Sequence, residues 1–255
     1  MSAPLRVGVI GLGARCVIAE NCHKATIPAE LVGGCDPNPA MRQRATEVLG
    51  DYPWFETLDE LLELGIDCAI VTSPDDTHED ITCALLEAGV AVYLEKPIAI
   101  TIEGSDRVLE TAYRTKTPLY VGHNMRHMAV VRILRQVVQD GLIGEVRAIW
   151  CRHFVGNGGD YYFKDWHADR SRTTGLLLQK AAHDIDVMNW LSDSVPERVV
   201  GMGDLMLYGK LSDRSGQKSD AVMSDWFSFD NWPPASLTGL NPVIDVEDVS
   251  MLMMR

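Results

Sequence analysis

A lysine at the predicted end of a strand is the first residue of this sequence that could carry chemistry. Lys96 follows the apolar run 90–94 and precedes Pro97. The run has the length and β-branched content of a buried strand, and Pro97 cannot donate to a sheet ladder, so the strand must end near Lys96. The carboxyl ends of parallel strands face the ligand crevice of an open α/β sheet. Lys96 is therefore either a functional cation at that edge or a surface lysine paired with its neighbour Glu95.

A histidine in a predicted helix, 175–191, is the second such residue. His183 and Gln179 are four residues apart and would share one face of this helix, whose apolar neighbours indicate that it is largely buried. Histidine titrates near neutrality and can accept a proton from a hydroxyl group, so His183 is either a general base or a satisfied core residue. His183 and Asp186 could also be two metal ligands. No HExxH motif or acidic cluster of metal spacing accompanies them, so we expect no metal.

The segment 156–174 is predicted to be a loop in which aromatic and polar side chains alternate. Its candidate substrate contacts are Tyr161, Trp166 and His167. Aromatic rings suit a small sugar or polyol, because they can stack on its C–H faces while polar groups bond its hydroxyls. The alternative is that these residues only pack the loop onto its domain. No Gly-x-Ser-x-Gly elbow or Walker-type loop occurs, so the sequence does not indicate a serine hydrolase or an NTPase.

A glycine turn near the amino terminus belongs to the elements that would position Lys96. The predicted strand 5–10 runs into Gly11-Leu-Gly13 and then a helix. This order is typical of a dinucleotide site, where Gly11 permits the tight turn and Gly13 lets the backbone approach a pyrophosphate. Cys16 stands where a third glycine or alanine is usual, and it is small enough to pack a helix near a strand.

A carboxylate follows the second predicted strand, 31–35. Asp36 lies in the range after the glycines where it can accept both hydrogen bonds of an adenosine ribose and would repel a 2′-phosphate. This favours NAD, while Arg42 and Arg44 on the next helix leave NADP as the less favoured cofactor. The alternative is that Asp36 only caps an Asp-Pro-Asn-Pro turn.

Strands and helices alternate as far as Gly122, which predicts a doubly wound parallel sheet in residues 1–122. The predicted strands of this part are 5–10, 31–35, 54–55, 68–72, 90–94 and 119–122. The pattern then changes. In residues 123–255 we expect an amphipathic helix, the loop 156–174, the helix 175–191 and three strands. The main predicted elements there are the helix 129–139 and the strands 144–155, 197–202 and 246–254.

The composition of the chain limits which partners it can bind and in which compartment it is expected. The 255 residues carry 23 Lys+Arg against 36 Asp+Glu, a net charge of −13, which repels phosphate backbones and argues against nucleic-acid binding. No apolar run approaches the roughly 18 residues that would span a bilayer, and the start lacks a signal-peptide pattern. Six cysteines without CxxC pairing indicate reduced thiols. We therefore expect a cytoplasmic protein without a membrane partner.

In their order along the chain, these motifs resemble those of the glucose–fructose oxidoreductase/inositol dehydrogenase (Gfo/Idh/MocA) family. The resemblance covers nearly the whole chain. The positions that carry it are Gly11, Gly13, Asp36, Pro74, His78, Glu95, Lys96, Pro97, Asn124, Arg126, 143–146, Gly175, His183 and Asp186. It implies an N-terminal Rossmann domain, a substrate-binding and oligomerisation α+β domain with an open, mainly antiparallel sheet, and hydride transfer between NAD(P) and a sugar, polyol or related hydroxy compound.

The resemblance also implies roles for individual residues. Lys96 would contact the reacting hydroxyl, His183 would accept its proton, and Gln179 would be the third catalytic position. An ammonium group beside an alcohol stabilises a developing alkoxide, which makes this assignment chemically sensible. The implied cofactor contacts are Gly11, Gly13, Ala14, Arg15, Asp36, Ser73, Pro74, His78, Glu95, Lys96 and Asn124. The implied substrate contacts are Lys96, Arg126, Tyr161, Trp166, His167, Gln179 and His183.

The sequence departs from the family pattern at two positions. Thr174-Gly175 replaces the usual Gly-Gly before the helix, which is the smaller change, and Gln179 keeps other functions open. Gln179 stands where many family dehydrogenases have Asp, and an amide cannot offset the charge of an imidazolium. A glycoside hydrolase that oxidises transiently with tightly held NAD, and a nucleotide-sensing regulator or pseudoenzyme, are therefore the alternatives. The chain also stops where the family's carboxy-terminal sheet gathers its strands. We expect either a truncated domain or a partner chain that completes the sheet, and a homo-oligomer, a dimer or tetramer, when the sheet is complete.

Overall fold

The computed structural model describes residues 3–24, 26–155, 159, 161–215 and 238–255. Among these residues, one unit ends at Gly122 and a second begins at His123. The first contains a six-stranded parallel sheet and the second a small antiparallel sheet. The predicted fold class, an α/β protein with an N-terminal Rossmann-like sheet, is confirmed.

The sheet of the first unit has the strand order β3-β2-β1-β4-β5-β6, with every neighbouring pair parallel. Its strands are β1 (Leu5–Ile10), β2 (Ala29–Cys35), β3 (Trp54–Phe55), β4 (Cys68–Val71), β5 (Ala91–Leu94) and β6 (Leu119–Val121). The chain leaves β1 in one direction for β2 and β3, and in the other for β4 to β6. The carboxyl ends of β1 and β4 therefore form the switch point at which doubly wound sheets bind ligands.

Helices with defined caps connect these strands. They are 3₁₀ turns over Ala14–Lys24, then α1 (Pro39–Leu49), α2 (Leu58–Leu62), α3 (His78–Glu87) and α4 (Ile102–Thr115). Thr57 and Glu60 form the predicted capping box of α2, and the Thr101 hydroxyl accepts from the Gly104 N–H at the start of α4. The segment after the glycine turn, predicted as a helix, is a run of 3₁₀ turns.

Apolar clusters cover both faces of the parallel sheet. Val9 and Ile10, adjacent on β1, belong to different clusters because successive side chains of a strand point to opposite faces. Cys16 is 1% exposed and packs in the cluster of Val9, in the packing role expected of it. Burial raises the pKa of Cys16 to about 11 and that of Cys35 to about 12, so these thiols are unreactive at neutral pH.

The second unit contains short helices and a two-stranded sheet. Its elements are α5 (Ala129–Gln139), α6 (Tyr161–Lys164), α7 (Arg170–Thr173), α8 (Leu176–Gln179), α9 (Ala182–Ser192), β7 (Val199–Asp204) and β8 (Val249–Met254). Strands β7 and β8 pair in antiparallel register, with Val199 opposite Met254. The bounds of α5 are those predicted. No helix in the described part of either unit is long and apolar enough to cross a membrane.

The long strand predicted over 144–155 does not form. Residues 145–155 take part in no described ladder, and Trp150 and Phe154 are 81% and 86% exposed. Alternating apolar residues favour a strand only where a neighbouring strand can pair with them. In the described residues of this unit, β7 and β8 pair only with each other. The prediction was wrong because strand formation here depends on a partner that the local pattern cannot supply.

The single helix predicted over 175–191 is also divided. Gln179 is the last residue of α8, whereas His183 lies in the first turn of α9. Between them the Ala181 N–H bonds the Leu176 carbonyl five residues back, at 3.3 Å, which makes this turn wider than an α-helical one. Residues 181–190 are half-buried rather than largely buried. Gln179 and His183 therefore do not share one face of a continuous helix.

Candidate active site

The glycine turn after β1 lies against the first two residues of the loop that follows β4, Thr72 and Ser73. Gly11 has a φ of +84°, and a Cβ built on it would lie 2.4 Å from the Ser73 backbone nitrogen, so only glycine fits there. At Gly13, by contrast, no atom of the described residues lies within 4 Å of a built Cβ. The turn is closed on the Gly11 side and open at Gly13, which fits the close approach of a pyrophosphate.

The Asp36 side chain caps its own turn and is still able to bond a ribose, so the two roles considered for it are compatible. Its Oδ2 accepts from the Leu12 N–H of the glycine turn at 2.8 Å, and its Oδ1 accepts from the Asn38 N–H at 2.8 Å. The side chain therefore caps its own turn and ties β2 to the glycine turn. Each carboxylate oxygen has a second lone pair, so the bonds to a ribose can be added. Arg42 Nη1 donates to the Asp36 carbonyl at 2.6 Å and lies beside this position.

The end of β5 carries Glu95 and Lys96. The Glu95 side chain is 9% exposed, and its Oε1 accepts from Nε of Arg15 at 3.2 Å and from Nη2 of the same guanidinium. Its Oε2 lies 3.3 Å from the Lys96 backbone N–H. Lys96 itself is half-buried. Glu95 thus forms an ion pair with Arg15, which follows the glycine turn.

His78 is a buried link between two loops at this edge. Its side chain has Nδ1 2.6 Å from the Pro97 carbonyl and Nε2 3.0 Å from the Ser73 carbonyl, and the residue is 1% exposed. Burial lowers the pKa of His78, while its hydrogen bonds to the two backbone carbonyls act in the opposite direction. His78 thus links the residues after β4 and β5, and its expected contact with a cofactor stays a prediction.

The remaining cofactor candidates divide between the units. Ala14, Ser73 and Pro74 are partly exposed at the carboxyl edge of the first unit. Asn124 is half-buried in the 3₁₀ turn Asn124–His127 of the second unit. The structure therefore brings together the glycine turn, Asp36 and the β5 end, and it places Asn124 with the substrate candidates.

His183 belongs to a group of charged and titratable side chains in the second unit. The His123 ring stands edge-on to that of His183, with centroids 6.1 Å apart and an interplanar angle of 88°. His123 Nδ1 lies 3.8 Å from Asp186 Oδ2. Arg126 forms a bidentate ion pair with the same carboxylate. Its Nε lies 2.7 Å from Asp186 Oδ2 and its Nη2 lies 2.6 Å from Asp186 Oδ1. Arg126, a candidate substrate contact, is thus held by Asp186 with its side chain still 41% exposed.

His123 is a residue that the sequence reasoning missed. It follows Gly122 directly after β6. The carboxyl-end rule that singled out Lys96 after β5 applies equally to a titratable residue after β6. A search for such residues after every predicted strand would have found it.

Gln179 ends a short helix whose first backbone N–H groups are capped by Glu247. Glu247 Oε1 accepts from the Leu176 N–H at 2.8 Å, and Glu247 Oε2 pairs with Arg170 at 3.0 Å. A carboxylate at a helix N-terminus satisfies backbone donors that have no partner within the helix. Gln179, three residues on, is 7% exposed.

The aromatic residues of the predicted loop pack on one another. The His167 ring stacks on Trp166 with centroids 3.7 Å apart and lies 5.0 Å from that of Tyr161. His167 is 8% exposed, which makes it mainly a packing residue, whereas Tyr161 and Trp166 are half-buried and retain surface for a ligand. Residues 156–158 and 160 of this predicted loop lie outside the described residues.

Comparison with known families decides the relationship. The family model described as "Oxidoreductase family, NAD-binding Rossmann fold" matches residues 5–123, and that of the "GFO/IDH/MocA C-terminal domain" matches residues 131–255. The chain belongs to the Gfo/Idh/MocA family. The family predicted from the motifs is therefore confirmed, together with an NAD-binding Rossmann fold in the first unit.

Individual members of the Gfo/Idh/MocA family are similar at moderate identity. Inositol 2-dehydrogenase of Serratia proteamaculans (strain 568) is 30% identical over 197 residues, which cover 74% of this chain and 55% of that protein. Apo scyllo-inositol dehydrogenase of Lactobacillus casei superposes with a TM-score of 0.70 at 26% identity, covering 80% of this chain and 60% of that one. The chain spans less than two thirds of the length of either relative.

A third relative shows the fold alone. The WlbA dehydrogenase of Bordetella pertussis, solved in complex with NADH and UDP-GlcNAcA, has a TM-score of 0.73 at 21% identity. The match covers 100% of this chain and 64% of that one. At this identity the match supports the fold of the Gfo/Idh/MocA chain and carries no statement about its substrate.

Proposed function

We propose that this chain acts as an NAD-dependent oxidoreductase on a sugar, polyol or related hydroxy compound. The observation that carries the proposal is the carboxyl edge of the parallel sheet, where the Gly11 turn, Asp36 and Lys96 follow β1, β2 and β5. The inositol dehydrogenases among its relatives support a polyol-like substrate. In this proposal residues 1–122 bind the dinucleotide, and residues 123–255 bind the substrate and contribute to a homo-oligomer.

NAD fits the residues present better than NADP. The open space at Gly13 suits a pyrophosphate, and the Asp36 carboxylate, already oriented by two backbone N–H groups, is placed to bond a ribose and to repel a 2′-phosphate. Bound NAD supplies the hydride acceptor for oxidation of the alcohol. Ala14, Arg15, Ser73 and Pro74 surround the same edge and complete the proposed contacts of this unit.

The catalytic roles follow from the chemistry of the side chains. Lys96 donates a hydrogen bond to the reacting hydroxyl and stabilises negative charge on its oxygen, while His183 accepts its proton. Gln179 provides a neutral amide beside this chemistry. Arg126, held by Asp186, and the exposed faces of Tyr161 and Trp166 contact the rest of the substrate.

The test is a panel of inositols, other polyols and sugars, incubated with NAD or NADP and followed by the absorbance of the reduced nicotinamide. We expect reduction of NAD with at least one polyol and slower reduction of NADP. Binding of NAD without turnover of any compound would instead favour a nucleotide-sensing regulator. Cleavage of glycosides without net NADH would identify a glycoside hydrolase that uses NAD transiently, for which the amide of Gln179 is the motivating feature.

Replacing Asp36 by serine tests the cofactor preference. We expect NAD binding to weaken about tenfold, because the ribose loses its carboxylate acceptor, while NADP binding weakens less. Calorimetry with both dinucleotides measures this ratio. The matched control is Asp51→Ser, which alters an exposed carboxylate of the same unit. An unchanged NAD-to-NADP affinity ratio in Asp36→Ser would contradict the proposed ribose contact.

A further inference from the structure

The ion pair between Arg15 and Glu95 joins the glycine turn to the end of β5. Arg15 lies two residues beyond Gly13, and Glu95 lies one residue before Lys96. Their side chains differ strongly in exposure, 49% for Arg15 and 9% for Glu95. A nearly buried carboxylate at the end of β5 thus holds the half-exposed guanidinium of a residue that follows the glycine turn.

The charges of Glu95 and Arg15 have opposite effects on the binding of a pyrophosphate at this edge. A buried carboxylate close to a pyrophosphate site would by itself oppose binding of a dianionic group. The Arg15 guanidinium offsets that charge through Nε and Nη2. A guanidinium has five N–H donors in a rigid fork, so the two that face Glu95 leave three for a second anion. Arg15 is therefore able to bond Glu95 and a phosphate at the same time.

We propose that Glu95 is a positioning residue, which orients Arg15 as the pyrophosphate-binding cation of the dinucleotide site. Glu95 does not itself contact the cofactor, in contrast to the role that the sequence suggests for it. Its carboxylate fixes one edge of the guanidinium so that the other edge faces the open space beside Gly13. This inference rests on the proposed function only in assuming a dinucleotide at this edge.

Glu95→Asp and Arg15→Gln separate orientation from charge. Glu95→Asp keeps the negative charge but shortens the side chain by one methylene group. The Arg15 guanidinium then loses its hydrogen bonds to the carboxylate, while the repulsion between the carboxylate and a phosphate remains. We expect ADP-ribose to bind about tenfold more weakly to Glu95→Asp and about thirtyfold more weakly to Arg15→Gln, since both lose charge-assisted hydrogen bonds. Adenosine, which has no phosphate, should bind equally to all variants.

The double variant shows whether Glu95 acts through Arg15. In the Arg15→Gln background, Glu95→Asp should have no further effect on ADP-ribose binding, because there is no guanidinium left to orient. Arg114→Gln is the control, since Arg114 forms an exposed ion pair with Glu87 on the helices of the same unit. It should leave both dissociation constants unchanged.

Three results would overturn the inference. One is unaltered ADP-ribose binding in Arg15→Gln, and another is an equal effect of Glu95→Asp in both backgrounds. A third is a parallel loss of adenosine binding, which would mark Arg15–Glu95 as a purely structural pair. If the unmodified chain binds NAD but a variant result fails, only this inference falls. If the unmodified chain binds neither NAD nor ADP-ribose, the proposed function falls with it.

Discussion

Replacing His183 by alanine is expected to reduce turnover about a thousandfold while the dissociation constant for NAD stays unchanged. Removing a general base typically slows proton transfer by two to four orders of magnitude. His183 lies in the second unit, whereas the proposed dinucleotide contacts after β1, β2 and β5 belong to the first. Steady-state kinetics on the substrate identified in the panel, together with calorimetry for NAD, measure the two quantities separately.

Lys96→Ala is expected to behave in the same way, with a comparable loss of turnover, because the alkoxide loses its stabilising cation. His23→Ala and Lys116→Ala alter exposed side chains of the same types and serve as matched controls. Full turnover in both His183→Ala and Lys96→Ala would remove the case for hydride transfer at these residues. Loss of turnover together with loss of NAD binding would point to a folding defect instead.

The glycine turn should respond differently at its two glycines. Gly11→Ala is expected to destabilise the protein by about 3 kcal/mol, because an alanine must accept both a positive φ and a contact with backbone atoms of Ser73. Gly13→Ala should leave the stability of the protein without cofactor unchanged, since its Cβ meets open space. It should nevertheless weaken NAD binding at least about tenfold, because the methyl group occupies the space of the pyrophosphate.

Thermal and denaturant unfolding, with and without NAD, distinguish the two variants. Added NAD should raise the unfolding midpoint of the unmodified protein and have little effect on Gly13→Ala. A stable Gly11→Ala protein would show that the turn adapts at low cost. Tight NAD binding by Gly13→Ala would place the pyrophosphate elsewhere.

The first unit could be predicted almost completely because its signals are local. The buried strands are short apolar runs, and the caps at Thr57 and Thr101 are set by residues within one turn of the helix that they begin. The strand order then follows from the alternation of strands and helices. The positions of Gly11, Asp36 and Lys96 at one edge follow from that order.

The second unit was predicted less well because its structure depends on contacts distant in sequence. The pattern of 144–155 is compatible with a strand, yet no described strand pairs with it. The wide turn at Ala181 leaves no trace in the apolar periodicity that joined Gln179 to His183. The rule for strand ends could have indicated His123, but the contact of its ring with that of His183 is a tertiary contact that the sequence does not show.

The partners of side chains at the site were also beyond the sequence. Glu95 next to Lys96 suggested a local ion pair, but its carboxylate reaches Arg15, 80 residues earlier. His78 follows the spacing of a cofactor contact, and only the structure shows that its ring also links the loops after β4 and β5. Residue type and spacing indicate which groups meet at an edge. They do not indicate which of these groups face the ligand.

The two backbone bonds of Asp36 bear on how this family could acquire a different cofactor. In the proposed NAD site a switch to NADP requires removal of this carboxylate, yet the same side chain accepts from the N–H of Leu12 inside the glycine turn. A single substitution would therefore change selectivity and loosen the phosphate-binding turn together. We expect that redesign toward NADP succeeds only when a compensating acceptor for Leu12 is introduced at the same time, with Arg42 already close enough to be recruited. In the proposed site, the choice between NAD and NADP and the rigidity of the glycine turn therefore depend on the same side chain, Asp36.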